Sequence, residues 1–341
     1  MTNNPQFQRP TFKIRGRKSP LALTFGILVI IGVLFTALSG FYADWLWFKS
    51  VDFTSTWSTI LGTKIFLFVL TGLLTASIVL ANVWIAYKRR PLYVSMTMES
   101  DNLERYRSQV EPIRRSLFIG GFLALFYFAG TSGSTLWSSW LLFRNSTEFG
   151  VKDPQFNMDI SFFAFRLPFW QTMIGWGIST LVLAIIASAV VHYLYGGIRL
   201  QVQEDRTTVA ARLQLSVLLG GVVLLKAVAY WFDRYALALK ESKIITGLTY
   251  TDVNAVLPAK AILSGIALVC ALLFFANIIR RSWVLPAAGT ALLVISSVLI
   301  AGLYPAAIQN FQVKPSESSK EAPFIQRNIE STRAAYGLED V

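Results

Sequence analysis

The chain has 341 residues, of which 54% are hydrophobic and 15% are charged, and its mean hydropathy is +0.52. Soluble domains of this size are less apolar, so the composition excludes that class and indicates a membrane protein. The net charge of +12 is clustered in a few connections, and no nucleic-acid-binding motif accompanies it. We therefore predict no nucleic-acid partner.

Seven apolar runs are each long enough to cross the hydrocarbon core of a bilayer, which takes about 20 helical residues. The runs cover residues 20–42, 59–87, 116–137, 169–195, 213–232, 259–279 and 283–304. The predicted fold is therefore all-α: a polytopic membrane protein with seven transmembrane helices. A basic tail at 1–19 precedes this domain of residues 20–304, and 305–341 is predicted to start an extracytoplasmic region.

The basic residues predict the orientation of these spans. Lys and Arg are concentrated in the segments 9–18, 88–115, 199–212 and 280–281. These are the N-terminal tail and every second connection between spans, which all lie on the same side of the membrane. Connections rich in Lys and Arg stay in the cytoplasm. We therefore predict a cytoplasmic N-terminus, an extracytoplasmic C-terminus and a multi-pass protein of a bacterial plasma membrane.

The cytoplasmic connection after the second span contains a predicted amphipathic helix at about 101–114. Leu103, Tyr106, Val110 and Ile113 recur at intervals of three or four residues, with arginines between them. Such a helix lies on the membrane face with its arginines directed at anionic lipid headgroups. The predicted partners at this side are the lipid bilayer and those headgroups.

The stretch "DPQFNMDISFFAFRLPF" at 153–169 combines aromatic side chains, two aspartates and an arginine before the fourth span. One helix from Ile160 to Tyr195 would be about 54 Å long, well beyond the core of about 30 Å. Pro168 is expected to break it. Residues 153–168 are therefore predicted to form a separate segment in the outer interface.

Small residues predict where helices approach each other, because apolar burial alone does not drive helix association in lipid. In the fourth span the candidates are Gly175 with Ser179, and Ala184 with Ser188. Both pairs are predicted to mark packing faces.

The residues that common catalytic and metal sites need are scarce. The chain has one histidine, His192, and one cysteine, Cys270, and it lacks the phosphate-binding and nucleophile motifs of soluble ATPases and hydrolases. We therefore predict no cofactor, no metal site, no catalytic residue and no enzyme activity, and read both residues as packing groups.

Polar residues at membrane depth are candidates for function. Lys226, Lys64 and Asn82 are the candidates within the spans, although both lysines lie close enough to span ends to extend their amines to the interface. Outside the spans, five polar residues are candidates for binding a partner at the outer face: Asp153, Asp159, Arg166, Asp252 and Asn254.

Three segments together carry a resemblance to a known family. They are the stretch at 153–169, "ITGLTYTDVNAVLPA" at 245–259 and "YPAAIQNFQVKPSESSKEAPFIQRNIESTRAAYGL" from Tyr304. The chain resembles bacterial multi-pass membrane proteins grouped as uncharacterised protein family 0182. The resemblance implies seven N-terminal spans followed by a large extracytoplasmic region, with no established activity and no functional residues to carry over.

The tail after Tyr304 is too short to bury a core of its own. It is expected to be a piece of a longer region, or a helix that packs on the membrane domain, with Pro323 able to open that helix and Gly337 able to close it.

Three functions remain open. The first is a membrane anchor or scaffold for an extracytoplasmic domain or an envelope protein partner. The alternative is a transporter or channel with a cavity lined by Lys226, Asn82 and Arg166, although no acid lies within the spans. A membrane-surface enzyme that uses Asp153 and Asp159 is the third.

Overall fold

The computed structural model describes residues 20–91, 98–199, 206–241, 245–280 and 284–338. These residues form ten α-helices with π-helical and 3₁₀ turns between them, and their only β-structure is three isolated bridges. The helices are α1 (Pro20–Ser50), α2 (Thr54–Lys88), α3 (Met98–Ser134), α4 (Trp137–Arg144), α5 (Leu167–Leu194), α6 (Val209–Ala236), α7 (Leu257–Arg280), α8 (Val284–Ser296), α9 (Tyr304–Ala307) and α10 (Glu317–Ala335). The predicted tail at 1–19 lies outside the described residues.

Among the described residues, seven helical segments are long and apolar enough to cross a membrane, which confirms the predicted all-helical class and the predicted number of helices of this length and composition. They are Thr24–Ser50, Thr54–Lys88, Leu103–Ser134, Phe162–Leu194, Val209–Leu239, Asp252–Ile279 and Val284–Ala335. Large apolar side chains cover the outside of these helices, such as Phe35 at 73% and Phe128 at 70% exposure. A surface of this kind suits contact with lipid tails.

The chain divides into two compact units, 1–62 and 63–341. In the first unit, α1 and the start of α2 form a helical hairpin around a turn in which Asp52 takes a positive φ of 57°. The Phe41 and Trp57 rings pack edge to face, 5.0 Å apart, across this hairpin.

In the second unit, long helices that follow one another in the chain alternate in direction, so that every second one runs the same way. Thr75 of α2 lies beside Thr180 of α5, and Asn82 of α2 lies near Ser188 of α5, so these two helices run parallel. Helix α6 runs the opposite way and α7 is antiparallel to α6, since Ser216 donates to the Phe274 carbonyl and Ser264 to the Ala227 carbonyl.

This alternation gathers the basic connections at one end of the second unit. We call this the basic end, where α2 and α5 finish and α3 and α6 begin, and the other the loop end. At the loop end lie the connection 145–161 and the described residues 240–241 and 245–251 of the connection between α6 and α7. At the basic end, the Arg107 guanidinium donates from Nε to the Leu194 carbonyl at 2.6 Å, which favourably places a cation at the C-terminus of α5.

Small residues let the helices approach closely. On α7 the buried positions recur at three or four residue spacing. They are Ala259, Leu263, Ala267, Cys270, Phe274 and Asn277, each 3% exposed or less. Between α2 and α3, a Cβ on Gly72 would lie 2.5 Å from the Phe126 carbonyl oxygen, so only glycine allows this approach.

The helix expected at 101–114 is not a separate surface helix. It is the first part of α3, a helix of 37 residues that continues unbroken through Pro112 into the apolar segment. The reason lies in its contacts: Arg107 binds the end of α5, and Glu111 accepts from the hydroxyls of Tyr87 at 2.7 Å and Tyr195 at 3.0 Å. These bonds fix this stretch against the ends of α2 and α5.

The break expected at Pro168 is also absent. The helix runs from Phe162 through Leu194, and its first turn, Phe162–Arg166, is π-helical. The Leu167 N–H bonds the carbonyl of Phe162, five residues back. A widened turn accommodates the proline, which has no N–H and would otherwise crowd the carbonyl four residues earlier.

The same arrangement recurs three times. Each π-helical segment is followed directly by one residue and a proline, and the residue before the proline donates to the carbonyl five residues back. The other three segments are Asp252–Val256 before Pro258, Ser297–Leu303 before Pro305, and Ile308–Val313 before Pro315. Proline therefore widens the helices here and does not end them.

Candidate functional site

Two buried polar clusters lie within the bundle, one between α2 and α5 and the other between α2, α5 and α6. Near the middle of α2 and α5, the Trp176 indole donates to the Thr75 hydroxyl at 3.2 Å, and the Thr75 and Thr180 hydroxyl oxygens are 3.3 Å apart. We call these three residues the upper cluster. Thr75 and Thr180 are each 3% exposed, so their hydroxyls are satisfied within the bundle.

The lower cluster lies nearer the basic end and comprises Asn82, Ser188, His192 and Gln214. The Gln214 amide nitrogen donates to the Asn82 carbonyl at 2.8 Å and to the Ser188 hydroxyl at 3.4 Å. The Gln214 Oε1 therefore faces His192, at 3.0 Å from Nε2. Because this amide oxygen can only accept, Nε2 of His192 carries the proton.

Apolar side chains separate the two clusters. Val79, Ala184 and Leu218 are buried together, with exposures of 3%, 0% and 7%. They come from α2, α5 and α6, the same three helices that carry the lower cluster. We call them the apolar plug. It interrupts the polar side chains between the two ends, which opposes a continuous hydrophilic path at this place.

The candidate polar residues of the spans are not brought together. The exposed Lys226 has its Nζ 5.2 Å from the Tyr230 ring centroid, and Lys64 has its Nζ 5.4 Å from the Trp137 ring centroid. Asn82 belongs to the lower cluster, where its own amide donates to the Ile78 carbonyl at 2.9 Å. A functional role for the three stays a prediction.

The loop-end aspartates hold backbone in place. Asp153 accepts the N–H groups of Gln155 at 2.9 Å and Phe156 at 2.7 Å. Asp159 accepts three, from Phe149 at 3.1 Å, Gly150 at 2.9 Å and Ser161 at 2.8 Å. The bonds from Ser161, followed by those from Phe149 and Gly150, lower the pKa of Asp159 to about 2.

The other docking candidates differ in exposure. Arg166 is exposed, with Nε 3.3 Å from the Ser146 hydroxyl, and Asn254 is exposed and donates to the Tyr250 carbonyl at 2.9 Å. Asp252, in contrast, is 1% exposed and accepts from Lys240 at 2.8 Å, so it has no free surface for a partner. The docking role of these residues stays a prediction.

The C-terminal helix α10 is fixed to the loop end by side chains. The Glu321 carboxylate accepts the Tyr250 N–H at 3.0 and 3.2 Å, and Asn328 donates to the Thr246 carbonyl at 2.9 Å. Lys320 lies over the Tyr250 ring, 4.7 Å from its centroid. Between α9, α10 and the 245–252 loop lies a cavity of about 410 Å³. Of the two expectations for the tail, packing on the membrane domain is the one seen here.

A third cluster lies at the basic end. The Glu111 carboxylate receives the Arg114 guanidinium at 2.7 Å as well as the two tyrosine hydroxyls, and the Arg90 guanidinium lies 4.2 Å from the Tyr87 ring centroid. Burial, followed by the bond to Glu111, raises the pKa of Tyr195 to about 12. Tyr195 therefore stays a neutral donor at physiological pH.

Sequence reasoning missed Gln214, Trp176, Thr180 and Glu321. Trp176 and Thr180 could have been found from helical spacing, since 176, 180, 184, 188 and 192 follow every fourth position of α5. Gln214 lies on α6 and is not part of this series. Glu321 carries no such signal, because its partner is a backbone N–H of a loop 71 residues away. Among the described residues, no group of three or more His, Cys, Asp or Glu side chains could hold a metal ion.

A model of the uncharacterised protein family UPF0182 matches residues 21–341. A UPF0182 protein of Streptomyces coelicolor is 48% identical over 336 residues, which cover 97% of this chain and 33% of the relative. One of Nocardioides sp. is 45% identical over 338 residues, covering 99% and 34%. One of Rhodococcus erythropolis is 42% identical over 323 residues, covering 92% and 33%. The chain spans about a third of the length of these relatives. No solved structure matches.

Proposed function

Because the chain belongs to the uncharacterised protein family UPF0182, whose matched members are about three times as long, we propose that it is a membrane anchor. In the longer relatives, the region that follows these residues would be held and oriented by this module. A partner protein of the cell envelope would be held in the same way.

The docked helix α10 carries this proposal. It is the last helix described, and Glu321, Asn328 and Lys320 fix it to the loop between α6 and α7. A chain that leaves the membrane domain along a fixed helix starts the next region from a defined position and direction. A flexible tether would leave both open.

The orientation is part of the proposal. The basic end would face the cytoplasm, and the loop end with α10 would lie outside the bacterial plasma membrane. The clustering of Arg90, Arg107, Arg114, Arg199 and Arg212 at one end supports it, because Lys and Arg near span ends are retained in the cytoplasm.

Transport is the weaker candidate. Lys226 is exposed on the outside of the bundle, and the apolar plug lies between the polar clusters. A surface enzyme is weaker still, because Asp153 and Asp159 are engaged by backbone N–H groups. Carboxylates that cap loops in this way are poorly placed to act as a general acid and base.

The first test removes the docking carboxylate. Glu321→Ala deletes both bonds to the Tyr250 N–H, and a bond to a charged group contributes about 1.5–3 kcal/mol when protected from water. At this partly exposed site we expect hydrogen exchange of 317–335 to quicken by about tenfold, which corresponds to about 1.4 kcal/mol. Glu330→Ala on the same helix is the control, since Glu330 is exposed and contacts only Gln326 among the residues described.

The anchoring role is tested by co-purification. The region that follows these residues in the longer relatives, expressed separately, should be retained by the wild-type module and by Glu330→Ala in mild detergent. Retention should fall with Glu321→Ala. If the separately expressed region is folded and the wild-type module does not retain it, the anchoring proposal is wrong.

A further inference from the structure

A groove lies at the basic end of the second unit, and the anchoring role gives it no task. It has a volume of about 450 Å³ and is lined by α2, α3 and α5. Leu80 and Val83 come from α2, Leu117 and Phe118 from α3, and Val191 and Leu194 from α5. The volume is in the range of about 300–1,000 Å³ that is usual for small-molecule sites.

The groove has an apolar interior and a cationic rim. Arg114 and Arg115 line it together with the hydroxyl-bearing Tyr87. Glu111 pairs with Arg114 at 2.7 Å and lies 3.8 Å from Arg90, so one carboxylate faces two guanidiniums. Arg115 makes no hydrogen bond or salt bridge with any residue in the described part of the chain. The rim of the groove therefore carries a positive charge that no carboxylate neutralises.

The position of the groove matches the boundary between hydrocarbon and headgroups. Trp84 and Tyr87, near the end of α2, are residue types that collect at this boundary, and the apolar part of α3 begins just after Arg115. Of the lining side chains, Trp84 is 52% and Ile119 is 60% exposed, so the groove opens on the apolar outer surface of the helices.

The occupant must be narrow, amphipathic and negatively charged. A helix about 10 Å across would fill 450 Å³ with only about one turn, so the groove is too small for a partner helix. A soluble anion would bind the arginines but would make no contact with the apolar walls of the groove. An acyl chain suits those walls, and a phosphate suits a guanidinium.

We propose that this groove is a binding site for an anionic phospholipid, with an acyl chain between α2, α3 and α5 and the headgroup phosphate at Arg115 and Arg114. The site goes beyond the anchoring role and does not depend on it. It also assigns a task to the tyrosine and arginine cluster around Glu111, which joins α3 to the ends of α2 and α5 beside the groove.

The test measures lipid retention by native mass spectrometry of the 341-residue chain in detergent. Phosphatidylglycerol and phosphatidylcholine with identical acyl chains are added in turn. One arginine near an anionic surface contributes enough for about a fivefold change in binding, so wild type should retain phosphatidylglycerol about fivefold better. Arg115→Gln should remove that preference.

Two further variants keep the test decisive. Arg105→Gln removes the same charge from the same helix outside the groove, and it should retain the preference. Val83→Trp fills the groove and should lower retention of both lipids. Equal retention of the two lipids by wild type would overturn the proposal, as would equal losses in Arg105→Gln and Arg115→Gln.

A chain-free headgroup separates the lipid from a simple anion site. Glycerol phosphate in large excess should leave the bound phosphatidylglycerol in place, because it lacks the acyl chain. Displacement by glycerol phosphate would show an anion site at the arginines alone and would contradict the lipid proposal.

Discussion

Asp159 shows how a residue chosen as a docking candidate has a structural task. Its carboxylate accepts three backbone N–H groups, two from the turn at Phe149 and Gly150 and one from Ser161 at the start of the fourth span. In a sequence, an acidic residue before an apolar run is equally consistent with an exposed side chain that binds a partner and with one that caps backbone N–H groups. The distinction required the position of the 149–150 turn, which the local sequence does not give.

The depressed pKa of Asp159 predicts a defined pH dependence. With a folded pKa of about 2 and an unfolded pKa near 3.9, its contribution to stability is complete above about pH 4 and is lost as the pH falls through about 2. We expect Asp159→Ala to lower the Tm by a constant amount between pH 5 and 8. Thermal unfolding in detergent measures this difference.

The wild type and Asp159→Ala should converge only between about pH 4 and pH 2. Asp44→Ala provides the comparison, since Asp44 lies in the first unit and has no hydrogen bond or salt bridge among the described residues. A difference that vanished already near pH 6 would contradict the role given to the Asp159 carboxylate.

At the scale of helices, composition predicted that the apolar helices exist and that the fold is all-α. It did not predict where each helix ends or whether it continues. Apolar length predicted the seven spans, because the bilayer fixes that length. Two predictions of where helices end were wrong. At Pro168 a π-helical turn replaces the expected break, and 101–114 is part of α3, held by contacts with the ends of α2 and α5. Both outcomes depend on neighbouring helices that a local pattern does not contain.

The packing faces were predicted in part. Ala184 and Ser188 are fully buried, as their spacing indicated. Gly175 has open space around its Cβ position and Ser179 is exposed, so that pair faces away from the bundle. Small residues allow close contact but do not require it, and a close approach that sequence reasoning did not predict lies between α2 and α3 at Gly72.

A pair of glycine substitutions tests this difference. Gly72→Leu would place side-chain atoms against the Phe126 backbone, and we expect it to destabilise the protein by about 1–3 kcal/mol or more. Gly175→Leu adds the same atoms to an open surface and should change stability little. Denaturation in mixed micelles compares the two, and an equal loss in both would count against the packing of α2 on α3.

At the scale of the whole molecule, the orientation of the spans is testable with one cysteine. Cys270 is the only cysteine and is buried, so Cys270→Ala gives a background free of thiols. We expect Lys88→Cys, at the basic end, to resist a membrane-impermeant maleimide in intact cells. Lys152→Cys, at the loop end, should react, because the proposal places it outside.

Disrupting the cells should make the Lys88→Cys thiol reactive, which controls for burial. Equal reaction of both positions in intact cells would refute the arrangement of the two ends on opposite sides of the membrane. Lys88 and Lys152 are both exposed, so neither thiol should be hidden by the fold itself.

The four π-helical turns have a consequence for comparing such chains by alignment. A π turn can be regarded as an α turn that contains one inserted residue, and each residue of a helix advances the side chains by about 100°. Losing a single residue in Phe162–Arg166 would therefore swing the start of the span around its axis without shortening it by a turn. In an alignment, a one-residue gap beside one of these prolines therefore indicates that the two parts of the helix are rotated relative to each other. Side chains before and after the gap then lie on different faces of the helix.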